Sequence, residues 1–122
     1  MKEIKNNIEY LKNLKQNYIV ITHVQIYSVL LQKKNFSPVK YWWNNQTYPE
    51  NKTLSRKKFD DFFIKKINKN NIKKIIILDD VKNKHTGNFK IEEFEWLKSC
   101  SKKNNEKKID ADIYDIYKTC FN

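Results

Sequence analysis

Apolar positions recur along this chain with two alternating periods, and the alternation outlines its elements. Ile4, Ile8, Leu11 and Leu14 fall on one stripe with Lys and Asn filling the other side, the spacing of an amphipathic helix over 1–16. Asn17 marks a turn, and Tyr18-Ile19-Val20-Ile21-Thr22 reads as a short buried strand, β-branched in its middle. Helical spacing returns over 23–33, with Val24, Tyr27, Leu30 and Leu31 on one face. Residues 35–53 are irregular. Within them Pro38 and Pro49 bracket Val39–Trp43, a short strand by pattern, and 44–51 reads as a loop.

Ser55 is the expected N-cap of a helix over 56–68 that buries Phe59, Phe62, Phe63 and Ile67 and ends at Asn70-Asn71. The run Lys73-Lys74-Ile75-Ile76-Ile77-Leu78-Asp79-Asp80 follows. Four consecutive apolar residues between a basic start and an acidic end are the pattern of a strand buried on both faces. Residues 81–88 form a polar loop, 91–102 a helix with Ile91, Phe94 and Leu97 inward, and 102–108 a hydrophilic loop. Residues 109–121 fit either a helix, through Ile113, Ile116 and Tyr117, or a terminal strand. The alternation predicts one α/β domain over 1–122. It has three layers: a small, mostly parallel sheet with central strands 19–22 and 73–78, and helices on both faces.

Composition changes this picture in three ways. The 122 residues suffice for one core, fed by seven Phe, seven Tyr and three Trp. Net charge is +11, carried almost wholly by lysine, with Arg56 the only arginine. Lys, Asn and Ile are residues of A/T-rich codons, and selected nucleic-acid surfaces recruit Arg for bidentate phosphate contact. The charge therefore reads first as a solvated lysine surface and second as a footprint for an anionic partner such as nucleic acid or a membrane surface. Finally, Gly87 is the only glycine. A P-loop needs two glycines and a dinucleotide fingerprint three, so both are excluded and no nucleotide cofactor is expected on those grounds. The longest apolar run, 18–31, is interrupted by Thr22, His23, Gln25 and Ser28, so no transmembrane helix is expected. Residues 1–17 lack the apolar centre of a secretory signal.

Candidate chemistry is sparse. In open α/β sheets ligands collect outside the carboxyl ends of strands, which is where Thr22-His23 and Asp79-Asp80 fall. If the two strands are parallel neighbours, His23 with Asp79 or Asp80 is a candidate general base. The alternative is that His23 caps the next helix and the acids organise a turn. The run 75–80 also resembles a Walker B strand, without a Walker A to serve it. Glu92, Glu93 and Glu95 sit in the first turn of a helix, where acids stabilise the dipole without any metal. His85 lies in a polar loop. Tyr41, Trp42, Trp43, Asn45 and Tyr48 combine aromatic and amide side chains as carbohydrate or base stacking does, making them a candidate ligand site. The alternatives are that the same rings lie at a membrane interface or fold back over the core. The acceptor patterns Asn45-Gln46-Thr47 and Asn51-Lys52-Thr53 are expected by chance in so Asn-rich a chain.

Three segments taken in order carry a family resemblance: Tyr18-Ile-Val-Ile-Thr-His, Ser37-Pro38-Val39-Lys40-Tyr41-Trp42-Trp43 and Asn71-Ile72-Lys73-Lys74-Ile75-Ile76-Ile77. Together they resemble the soluble C-terminal domain of bacterial polytopic membrane glycosyltransferases, of the protein mannosyltransferase and aminoarabinose transferase type. In that group a membrane-embedded part uses a lipid-phosphate sugar donor, and a small extracytoplasmic α/β domain follows the last spanning helix. The resemblance implies an accessory domain on the periplasmic or another extracytoplasmic face, with a membrane-embedded glycosyltransferase region or a glycan as partner. The family's catalytic acids lie between early transmembrane helices and have no counterpart here, so no catalytic residue is carried over.

Cys100 and Cys120 have neither metal-ligand nor Cys-x-x-Cys spacing. If the last segment returns beside the helix ending at Cys100, the two could close a disulfide, contributing about 3 kcal/mol by the chain-entropy model. Otherwise both are free thiols.

Overall fold

The structure is a computed structural model, and it describes residues 2–24, 27, 31, 36–39, 42–43, 46–81, 89–105 and 109–122. The stripe of Ile4, Ile8 and Leu11 forms helix α1, Lys2–Lys12. Strand β1, Tyr18–Ile21, follows and is buried at every position. Most of the helix expected over 23–33 lies outside the described residues, although Tyr27 and Leu31 are buried. Trp42 and Trp43 are irregular and not part of a strand.

Helix α2, Leu54–Lys69, begins two residues earlier than expected. Its N-cap is Thr53 rather than Ser55: Thr53 has extended backbone, and its Oγ1 accepts the Arg56 N–H at 3.1 Å. Its inward stripe is Arg56, Asp60, Phe63, Ile64 and Ile67. Phe62, expected inside, is therefore turned out and 49% exposed. The helix ends in a Schellman arrangement. Asn71 takes a positive φ of 52°, and the Ile72 N–H reaches back to the Ile67 carbonyl at 3.0 Å.

Strand β2, Lys74–Leu78, is the buried run read from the sequence. The helix expected over 91–102 divides into a 3-10 turn, Ile91–Glu93, and a short helix α3, Glu95–Cys100. At Ser101 the backbone becomes extended, and Ser101–Asn104 is strand β3 rather than the start of a loop. Ala111–Ile116 is strand β4, so the C-terminal alternatives resolve to a strand.

The sheet order is β1-β2-β4-β3. β1 pairs parallel with β2, whereas β2–β4 and β3–β4 are antiparallel. The sheet is therefore mixed, not mostly parallel, and β1 lies at its edge rather than its centre. The reason lies in the connections. β1 reaches β2 through a long crossover that contains α2, whereas β3 reaches β4 through a short link that permits only the antiparallel sense.

Alternate strand residues enter two cores. Ile19, Ile21, Ile75, Ile77 and Ile116 join Phe63 and Ile67 of α2. Val20, Ile76, Leu78, Ala111 and Ile113 join Ile8 and Leu11 of α1. Trp42 lies at the centre of the first core, with ring centroids of Tyr48, Phe59, Phe63, Phe89 and Phe94 at 5.1 to 6.3 Å.

Candidate functional site

Because β1 and β2 are parallel neighbours, the residues that follow them emerge at one edge of the sheet. Thr22 and His23 leave β1, while Asp79 and Asp80 open the 3-10 turn Asp79–Val81 after β2. The Thr22 hydroxyl donates to Asp80 Oδ2 at 2.6 Å and accepts the Val24 N–H at 3.1 Å. His23 Nδ1 lies 3.4 Å from the same Asp80 oxygen, and both side chains are about three-quarters buried. Trp43 stands edge-on to the imidazole, with ring centroids 6.2 Å apart. The Trp42 N–H donates to the Thr22 carbonyl at 2.7 Å, tying the aromatic segment to the end of β1.

Of the two acids, Asp80 is the one that reaches His23. Asp79 is exposed, and its backbone N–H bonds the Asp110 carbonyl at 3.1 Å. Asp110 precedes antiparallel β4, which brings a third carboxylate to this edge. A cavity of about 190 Å³ opens here, lined by Ile4, Asn7, Tyr27, Leu78, Asp79, Asp80 and Asp110. The contact is one of proximity only: His23 Nδ1 is buried and makes no hydrogen bond, so Asp80 lies beside the imidazole without fixing its tautomer. The cavity is smaller than the ~300 Å³ at which small-molecule sites usually begin, and His23 is not part of its lining. Among the described residues no group of His, Cys, Asp and Glu is arranged to hold a metal ion.

The aromatic candidates separate. Trp42 and Tyr48 are 0% and 3% exposed, and their ring faces are occupied by the core rather than presented to a ligand. The Trp42 indole N–H is taken by Ser37 Oγ at 2.9 Å. Trp43 is half-buried beside His23. Tyr41, Asn45 and His85 lie outside the described residues. Cys100 and Cys120 are joined in a disulfide, with Cα atoms 5.2 Å apart.

Sequence reasoning missed the role of Arg56. The only arginine is 2% exposed, deep in the aromatic core. Its Nε donates to Asp60 Oδ1 at 3.0 Å and its Nη2 to the Glu93 carbonyl at 2.6 Å, while its guanidinium lies 3.7 Å from the Phe94 ring centroid. The legible signal was an Arg and an Asp four residues apart on a stripe otherwise made of Phe and Ile.

Burial pushes the Asp60 carboxyl above the ordinary aspartate value, although the hydrogen bond and charge of Arg56 and the Trp96 indole pull it back. The folded state therefore holds a proton on Asp60 at pH values where the unfolded chain has released it. This contribution to stability is fully present below the unfolded value and fades as pH rises through the folded one. We expect the stability of the wild type relative to Asp60→Asn to increase as pH is lowered from 7 towards 4, measured by urea unfolding. A difference independent of pH would contradict this.

No protein-family model matches the chain, and no curated protein or solved structure matches it either.

Proposed function

We propose that this chain is a non-catalytic accessory domain on the extracytoplasmic side of a membrane, of the kind that follows the spanning helices of the glycosyltransferases it resembles. The observation that carries this reading is the Cys100–Cys120 disulfide. Such bonds persist in oxidising compartments and are rare in the reducing cytosol. The disulfide belongs to a tied-down C-terminal segment. Asn68 donates to the Cys120 carbonyl at 3.1 Å and accepts its N–H at 3.3 Å, and Asn122 donates to Asp61 at 2.9 Å. The two apolar clusters, one holding α1 and the other α2, support a three-layer reading of the domain. No helix among the described residues is long and apolar enough to cross a membrane.

The nucleic-acid alternative is weakened by the placement of Arg56, since the one side chain suited to bidentate phosphate contact is committed to the core. A second reading, a small hydrolase, is favoured by one observation, the His23–Asp80 contact at 3.4 Å. It predicts that His23→Ala abolishes whatever turnover the protein shows.

The principal test is blocking of free thiols followed by mass spectrometry on protein recovered from its native compartment. We expect no alkylated cysteine. Reduction, or Cys120→Ser, should lower unfolding stability by about 2–5 kcal/mol. Two alkylated cysteines in the native protein would remove the observation on which the reading stands.

A further inference from the structure

Among the described residues, the two ends of the sheet differ in charge. At one end β1, β2 and β3 begin and β4 finishes, as their registers require. Exposed Lys15, Lys73, Lys102 and Lys118 stand at that end, with Lys12 and Lys69 in the last turns of α1 and α2. Lys12 and Lys69 have an ordinary explanation, because cations complement helix C-termini. The other four lie outside helices and lack it.

Two depressions open among these lysines. One, of about 520 Å³, is lined by Lys12, Lys15, Asn13, Gln16 and Asn17 together with Leu14, Tyr18 and Phe36. The other, of about 220 Å³, is lined by Lys73, Lys118, Tyr117, Thr119, Asn68 and Asn71 over a floor of Ile67, Ile72 and Ile116. They flank a bridge in which the Asn17 carbonyl accepts the Lys73 N–H at 2.9 Å and the Asn17 amide donates to the Asn70 carbonyl at 2.8 Å. Neither lining contains a carboxylate. The cavity at the opposite end of the sheet contains three, and the one beside α2 contains Asp60, Glu92, Glu93 and Glu95. Asp115, near the end of β4, is engaged by Lys74 at 2.6 Å and by Asn104 at 2.8 Å.

We propose that this lysine-lined end of the sheet docks on an anionic phospholipid surface, with headgroup phosphates at the two depressions. Lysine is a compact point charge suited to a field of phosphates, and no arginine stands here to supply the forked contacts of nucleic-acid recognition. Tyr117 adds an amphipathic ring. It is 54% exposed, with Lys102 and Lys118 ammonium groups 5.0 and 5.6 Å from its centroid, and such rings settle at headgroup level. Docked this way, the domain turns its His23–Asp80 edge away from the bilayer. The inference rests on the sorting of charge and not on the disulfide, so its failure and that of the compartment reading are separable.

Co-sedimentation with phosphatidylcholine vesicles, with and without phosphatidylglycerol, tests it at low ionic strength. Each lysine at an anionic surface contributes roughly a fivefold gain in partitioning. Lys73→Gln/Lys118→Gln should therefore weaken binding to the anionic vesicles roughly 20- to 30-fold, with the circular dichroism spectrum unchanged. Lys57→Gln/Lys58→Gln, near the other end of α2, carries the same net charge and should bind nearly as wild type. Equal loss in both double variants would show that binding follows net charge and would overturn the assignment. So would the absence of binding to anionic vesicles. Tighter binding to duplex DNA that the sheet-end pair abolishes would also overturn it, in favour of a nucleic-acid surface.

Discussion

Arg56→Met should destabilise the protein by about 3–5 kcal/mol, read as a drop in the urea midpoint without a large change in slope. The substitution keeps most of the aliphatic volume and removes the charge. It leaves the Asp60 carboxyl 9% exposed with its guanidinium partner gone. It also takes a donor from the Glu93 carbonyl and from the Pro49 carbonyl, which Arg56 Nη1 reaches at 3.4 Å. An unpaired buried charge is the largest of these costs, because its desolvation has already been incurred and nothing offsets it. The double variant Arg56→Met/Asp60→Leu tests that account. Replacing a buried ion pair by apolar groups is often close to neutral, so most of the lost stability should return. The rescue should fall short by about 1 kcal/mol or more, because the two carbonyls still lack a donor. A single variant within about 1 kcal/mol of wild type would mean that Asp60 simply takes a proton, and that the pair does little to hold the core.

Trp42→Ala should cost a similar amount, about 3–5 kcal/mol, by removing a fully buried indole from among five other aromatic rings. The loss has two parts. The transfer and cavity terms follow from the size of the side chain, and the collapse that limits a cavity is hindered here by stiff neighbouring rings. In addition, the segment that carries Trp42 is irregular and is held to β1 by the Trp42 N–H to Thr22 carbonyl bond of 2.7 Å. Once the indole is gone, that segment has less to anchor it, and the Thr22–His23–Asp80 edge should loosen with it. Hydrogen exchange at the ends of β1 and β2 would show this as faster exchange than the global loss of stability accounts for. Trp42→Phe should recover part of the stability and leave Ser37 Oγ without its indole donor. If Trp42→Ala were as stable as wild type, the aromatic segment would not belong to the core, and its rings would again be free to meet a ligand.

These expectations show which parts of the architecture were legible along the chain. Local periodicity suffices where an element's neighbours all lie on one side of it, or surround it on every side. The stripe of Ile4, Ile8 and Leu11 read as a helix, and the β-branched run Ile75–Leu78 read as a strand covered on both faces, as each is. The position of Asp79 and Asp80 at a strand's carboxyl end followed from the same run. Other features carry no local signature. Ser101–Asn104 is an edge strand rich in lysine, the composition that protects an open edge from further pairing, and it reads as a loop for that reason. Phe59, Phe62 and Phe63 are chemically alike. Only the stripe set by the buried Arg56–Asp60 pair decides that Phe63 faces inward and Phe62 outward.

The candidate site follows the same division. Which residues could act was set by the sequence: one histidine after the first strand and two acids after the central one. That Asp80 and not Asp79 reaches His23 depends on the 3-10 turn that follows β2 and on the register of two strands more than fifty residues apart in sequence. The aromatic segment shows the converse. Its composition is equally suited to a binding loop and to a core, because indole and phenol rings serve both, and only the position of α2 against the sheet decides that Trp42 and Tyr48 are buried. The amino-acid sequence by itself determined the first helix, the long helix before the central strand, the two buried strands and the chemistry on offer. The mixed pairing of the sheet, the buried arginine and, among the described residues, the separation of lysines from carboxylates at its two ends arose only in the tertiary structure. Each depends on contacts between residues far apart in the chain, which no local pattern records.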